Sequence, residues 1–176
     1  MAQPENETSV TYKDSKQLII LLDPNQTMKQ LADQIIEELL VFCDKTACFD
    51  YIKGNNLQQI YFIVSGNNAE DVIDDLISLP QIHCVYIFCV DVYYYEQWAK
   101  PYNKILGVFH TDDSLIVKLA QDLAFYYVQQ GNNYRSSGND GLAGLNYRRA
   151  RNIYYTLYNY VLKQDDQLKK CSVEQS

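Results

Sequence analysis

Gln59-Ile60-Tyr61-Phe62-Ile63-Val64, followed at once by Ser65-Gly66-Asn67-Asn68, decides the fold. A run this short and this apolar suits a strand buried on both faces, as in a parallel sheet. The polar turn after it opens a helix: Val72, Ile73, Leu76 and Ile77 recur at helical spacing until Pro80 stops the helix. The unit then repeats downstream. Cys84-Val-Tyr-Ile-Phe-Cys89 is another apolar strand, and Tyr93 to Tyr102, with Trp98 central, is a short helix stopping near Pro101. Ile105-Leu-Gly-Val-Phe109 is a third strand. Thr111 or Asp112 caps a longer helix carrying Leu115, Ile116, Leu119, Ala120 and Leu123.

Upstream the same alternation holds. Gln17-Leu-Ile-Ile-Leu-Leu-Asp23 is a buried strand, and Asn25 or Thr27 caps a helix whose Met28, Leu31, Ala32, Ile35 and Ile36 share a face. Leu39 to Cys43 is a strand. Asp44 or Thr46 opens a helix with Cys48, Tyr51 and Ile52 that stops at Gly54-Asn55-Asn56. Five strands alternate with five helices and no connection is a hairpin. Right-handed crossovers then require a parallel sheet covered on both faces. The simplest solution is an α/β three-layer sandwich with the flavodoxin-like strand order 2-1-3-4-5, the order of receiver and Toll/interleukin-receptor (TIR) domains.

From Ala124 the composition changes: half of the sixteen tyrosines lie between Tyr126 and Tyr160. Gly131, Tyr134, Gly138, Ala143, Tyr147 and Ala150 resemble the pattern of a single tetratricopeptide repeat, a helix–turn–helix unit. Gly131 and Ala143 are expected at the close contact, Tyr134 and Tyr147 around it, and Gly138-Asn139-Asp140 in the turn. The alternative is an ordinary helical hairpin packed on the α/β body. Ala143, Tyr147, Ala150, Tyr154, Leu157 and Val161 are the expected apolar stripe of the second helix. The expected organisation is therefore a disordered tail over 1–16, an α/β domain over 17–123, a helical hairpin over 124–163 and a disordered tail over 164–176.

The 176 residues include 47% apolar and 21% charged side chains, an ordinary globular balance. No apolar run reaches the ~18 residues of a membrane span. Residues 1–131 carry 8 basic and 18 acidic side chains, whereas residues 132–176 carry 7 basic and 4 acidic ones. The acidic body argues against nucleic acid and membrane as partners. Arg148, Arg149 and Arg151 among Tyr147, Tyr154 and Tyr155 are the pattern of a single-strand grip, or of solvated helix flanks meeting an acidic protein. The latter fits the acidic body beside them. Cys43, Cys48, Cys84, Cys89 and Cys171 form no CxxC pair, and with two histidines no metal centre is expected. Free thiols and a polar, acidic Met1 to Ser9 segment point to the cytoplasm.

Tyr61-Phe-Ile-Val-Ser-Gly66, Leu79-Pro-Gln-Ile82, Val85-Tyr-Ile-Phe-Cys89, Glu96-Gln-Trp-Ala-Lys100 and Gly107-Val-Phe109 together resemble an uncharacterised receiver-like domain family. Its members stand at the N-terminus of large invertebrate proteins that also carry tetratricopeptide repeats or arginine ADP-ribosyltransferase domains. The resemblance covers roughly residues 17–125. It implies a flavodoxin-like fold and a regulatory or targeting module within a larger architecture, with no established activity or cofactor.

In open parallel sheets ligands bind at the C-terminal strand edge. The residues expected there are Asp23, Ser65, Gly66, Cys89, His110 and Thr111. A phosphate-accepting receiver closes its third strand with aspartate and its fifth with lysine; Ser65 and His110 stand near those places. Ser65-Gly66-Asn67-Asn68 can present N–H groups to an anion or simply form a glycine turn with an asparagine cap. No GxxxxGK or GxGxxG run occurs. Ser65 or Cys89 with His110, helped by Asp23 or Asp112, is a nucleophile–base grouping that the sheet edge would gather, although nothing in the spacing is specific to it. Glu96 is the candidate if the chain processes nicotinamide dinucleotide as TIR-like hydrolases do. The expectation from these residues is a non-catalytic module that binds other proteins. Tyr147, Arg148, Arg151 and Tyr155 form its surface, with self-association through the C-terminal helices. The competing reading is a nucleotide-binding or dinucleotide-processing enzyme working at the sheet edge.

Overall fold

A computed structural model describes residues 17–26, 39–55 and 59–173, with side chains through residue 165. The helix expected between Thr27 and Glu38, the segment before Gln17 and the last three residues lie outside the described residues. The strands are β1 (Leu18–Leu22), β2 (Leu39–Phe42), β3 (Ile60–Ser65), β4 (Ile82–Phe88) and β5 (Ile105–Phe109). The helices are α1 (Lys45–Gly54), α2 (Gly66–Ile77), α3 (Val92–Ala99), α4 (Asp112–Ser136) and α5 (Asp140–Val173). All sheet pairings are parallel and the order is β2-β1-β3-β4-β5, the expected flavodoxin-like arrangement.

Alternation along the central strands divides two cores. Leu18, Ile20, Leu22, Phe62, Val64, Val85 and Ile87 pack against α1, α2 and α3 through Cys48, Ile52, Val72, Ile73, Leu76 and Tyr95. Ile19, Leu21, Tyr61, Ile63, Cys84 and Tyr86 face α4, whose Leu115, Leu119, Leu123 and Tyr127 share a cluster with Ala150, Ile153 and Leu157 of α5. Each buried aliphatic side chain contributes about 1.5–3 kcal/mol, so these central strands anchor the domain. Caps fix the helix ends. Asp44 Oδ1 accepts from Ala47 N–H at 2.7 Å, and Asp91 Oδ1 from Tyr94 N–H at 3.0 Å. Lys104 Nζ donates to the carbonyls of Ile77 and Leu79 at 2.8 and 3.1 Å, placing a cation at the C-terminal end of α2.

The boundary expected at residues 123 and 124 falls inside α4, one helix of 25 residues. Composition changes there but nothing breaks the helix, since neither proline nor a capping residue intervenes. The turn itself lies where expected. Gly138 takes φ +77°, and Gly138 N–H and Asn139 N–H return to the carbonyls of Arg135 and Tyr134 at 3.1 and 2.8 Å. Asn139 Oδ1 then accepts from Leu142 N–H at 3.1 Å and starts α5. That helix continues to Val173, past residue 163, because no glycine or proline follows to stop it.

The α4–α5 pair is antiparallel. A Cβ on Gly131 would lie 2.5 Å from the Tyr147 ring, so glycine is needed for the two helices to meet there. Tyr147 OH donates to Asn132 Oδ1 at 2.8 Å. Further along, Tyr160 OH donates to Asp113 Oδ1, joined by Gln164 Nε2 at 3.2 Å. Tyr127 is fully buried and its hydroxyl accepts from Gln17 N–H at 3.2 Å, tying α4 to the start of β1.

The expected stripe of α5 is corrected. Ala143, Ala150 and Leu157 are buried, but Asn146 and Ile153 complete the inner line, and Tyr154 and Val161 face solvent. The two candidate stripes share the residues seven apart and differ by one position between them, so spacing alone does not separate them. Asn146 fits the inner line because its Nδ2 donates to the Leu142 carbonyl at 2.8 Å.

Candidate functional site

The C-terminal edge carries, in spatial order, Asp23 after β1, Ser65 closing β3, Cys89 after β4, and His110 with Thr111 after β5. Asp23 is buried; its N–H donates to the Phe42 carbonyl at 2.9 Å, and its carbonyl accepts from Gln26 N–H at 3.1 Å. Ser65 Oγ accepts from Asn68 Nδ2 rather than capping α2. A Cβ on Gly66 would lie 2.6 Å from the Tyr95 ring and 2.8 Å from Cys89 Cβ. Gly66 is thus packed against the Tyr95 ring and Cys89, which leave no room for a side chain at this position. Burial pushes the Cys89 thiol up to about 11, helped by the carboxylates of Asp91 and Glu96. It is therefore a poor thiolate source near neutral pH. Thr111 Oγ1 accepts from Ser114 N–H at 3.3 Å and caps α4. His110 is exposed, and no hydrogen bond joins Ser65, Cys89 and His110 to one another. The edge gathers the expected residues along one line without assembling a nucleophile–base pair from these three.

A groove that spacing could not announce lies at the opposite, N-terminal end of the strands. The β3–β4 register moves from Ile60↔Ile82 to Tyr61↔Cys84, passing over His83. The β4–β5 register moves from Val85↔Ile105 to Tyr86↔Gly107, passing over Leu106. Each extra residue is displaced from the ladder. His83 and Leu106, with Asp122, Phe125, Tyr126 and Gln129 of α4, line a groove of about 510 Å³. The His83 ring lies 4.9 Å from that of Tyr61 and 5.8 Å from that of Tyr126. Partial burial lowers its pKa from 6.5; Asp122 opposes this and Lys104 adds to it. The Asp122 carboxylate is engaged, accepting from Tyr86 OH and from Lys118 Nζ, each at 2.7 Å. The groove offers ring faces and amides. Among the described residues no group of three His, Cys, Asp or Glu side chains is placed to hold a metal, and no helix is long and apolar enough to cross a membrane.

The expected interaction residues divide. Tyr147 is held between α4 and α5, while Arg148, Arg151 and Tyr155 are exposed. Arg149 stacks over the Tyr127 ring, 5.4 Å from its centre. Beside Tyr155 the outer face of α5 exposes a continuous apolar line: Tyr154 by 47%, Tyr155 by 66%, Tyr158 by 61%, Val161 by 49% and Leu162 by 43%. Of these, Tyr154 and Val161 belong to the stripe expected to be buried, and Tyr158 and Leu162 stand outside every expected site.

The fold and its surfaces define a flavodoxin-like α/β body extended by an antiparallel helix pair. No family model, curated protein or solved structure matches the chain.

Proposed function

We propose that the chain is a non-catalytic protein-interaction or regulatory module that binds through the outer face of α5. The observation that carries this reading is the run of five large apolar side chains exposed along one helix, beside Arg148 and Arg151. Contiguous apolar patches of this kind mark contact surfaces, and tyrosine and arginine are the side chains that most often anchor them. The resemblance of residues 17–125 to receiver-like modules, and of the α4–α5 pair to a tetratricopeptide repeat, points the same way. The Cys89 thiol, pushed up to about 11, weighs against a thiolate nucleophile at the sheet edge.

Two measurements test the proposal. Millimolar mono- and dinucleotides should leave the melting temperature unchanged, since a ligand that binds the folded state raises it by mass action. Immobilised full chain should retain a set of proteins that the Tyr155→Glu variant loses. Stabilisation by a nucleotide, abolished in Asp23→Ala, would reverse the reading in favour of the enzyme.

A further inference from the structure

We infer that the occupant of this face is a second copy of the same chain, paired antiparallel about a two-fold axis at Tyr158; the inference rests on the interaction reading above and specifies its partner. The two solvent-facing flanks of α5 differ. One carries Asn152, Thr156, Asn159 and Lys163; the other carries Tyr154, Tyr155, Tyr158, Val161 and Leu162. A helix merely solvated on its outside would be polar on both flanks.

The apolar flank is bounded by an exposed cation, Arg151, and an exposed carboxylate, Asp165. Positions 151, 154/155, 158, 161/162 and 165 alternate by three and four, the spacing of a helix seam. The order of these residues is what makes the seam fit itself. With Tyr158 on the axis, Tyr154 meets Leu162 of the other copy, Tyr155 meets Val161, and Arg151 meets Asp165. A two-fold interface uses the same patch twice, so the ion pair forms at both ends. Parallel pairing would instead set Arg151 against Arg151 and Asp165 against Asp165, which like-charge repulsion disfavours. Asp165 keeps a contact within its own chain, and a carboxylate has acceptor sites for a second.

Size and clearance agree. Three half-exposed tyrosines with Val161 and Leu162 supply on the order of 500 Å² per copy, so the pair reaches about the 1,000 Å² floor of a specific interface. Gln164 lies against Asp113 near the start of α4, so the last turns of the 34-residue α5 run past that helix, clear of its inner partner.

Sedimentation of the full chain from micromolar to submillimolar concentration is the test. The wild type is expected to pass from monomer to dimer. Tyr158→Glu, which sets two carboxylates together on the axis, is expected to weaken pairing by more than about a hundredfold with helix content unchanged. R151D or D165R alone should weaken it roughly tenfold, and R151D/D165R together should restore it. A dimer that survives Tyr158→Glu, or a charge swap that fails to restore pairing, overturns the proposed geometry. A chain that stays monomeric overturns the second copy as partner. If Tyr155→Glu nevertheless loses captured proteins, the interaction reading stands without it. If nothing is captured either, both fall.

Discussion

The C-terminal edge of the sheet and the outer face of α5 both carry residue types that bind or react, yet the molecule treats them in opposite ways. At the edge Gly66 lies under Tyr95, Ser65 holds Asn68, Thr111 caps α4 and the Cys89 thiol is kept protonated. On α5 the tyrosines have neighbours of their own kind and solvent in front of them. Residue type nominated both regions; the partners of each side chain distinguish them. A surface whose groups are already engaged contributes to stability, whereas one whose apolar groups face water gains by association.

Truncation on the two sides of α5 should separate an engaged face from a free one by the largest margin. Ile153 is 1% exposed within the cluster shared with α4 and β3, so Ile153→Ala should cost about 3 kcal/mol through lost burial and the cavity left behind. Tyr158→Ala should stay within about 0.5 kcal/mol when unfolding by urea is measured on dilute, monomeric protein. Equal losses would mean that Tyr158 packs within its own molecule and that the outer face is no free surface.

The edge can be probed through its glycine. Gly66→Ala sets a methyl group against the Tyr95 ring and Cys89, and such overpacking should cost about 2 kcal/mol in urea unfolding. Adding Tyr95→Leu should recover part of that loss, because the two residues share one space. If Gly66→Ala were neutral for stability, Tyr95 and Cys89 would leave room for a methyl group and the close packing at this turn would be refuted.

How far the sequence could be followed depends on what decides each feature. The five strands and their order were legible because strands buried on both faces leave uninterrupted apolar runs such as Leu18–Leu22 and Ile60–Val64. The continuity of α4 across 123/124 is not legible from composition, because tyrosine content rises there while helix propensity does not fall. The inner line of α5 was displaced because Ala143, Ala150 and Leu157 satisfy either stripe, and only packing against α4 selects Asn146 and Ile153 over Tyr147 and Tyr154. The bulges at His83 and Leu106 left no trace, since a bulge is a relation between two strands and not a property of one.

His83 supplies the smallest predicted effect, and one specific to the N-terminal groove. With its pKa lowered from 6.5 by partial burial, the folded protein binds the proton less readily than the unfolded chain does. Its contribution is therefore fully present above 6.5 and is lost as the pH falls from there through the lowered folded value. All other groups are common to both proteins, so the difference between wild type and His83→Phe, which keeps a ring against Tyr61 and Tyr126, isolates the histidine. Urea midpoints should fall for the wild type between about pH 7 and 5.5 and fall less for the variant. Parallel curves would show that the ring is solvated in both states. The groove would then be an open surface, closer in kind to the outer face of α5 than to the sheet edge.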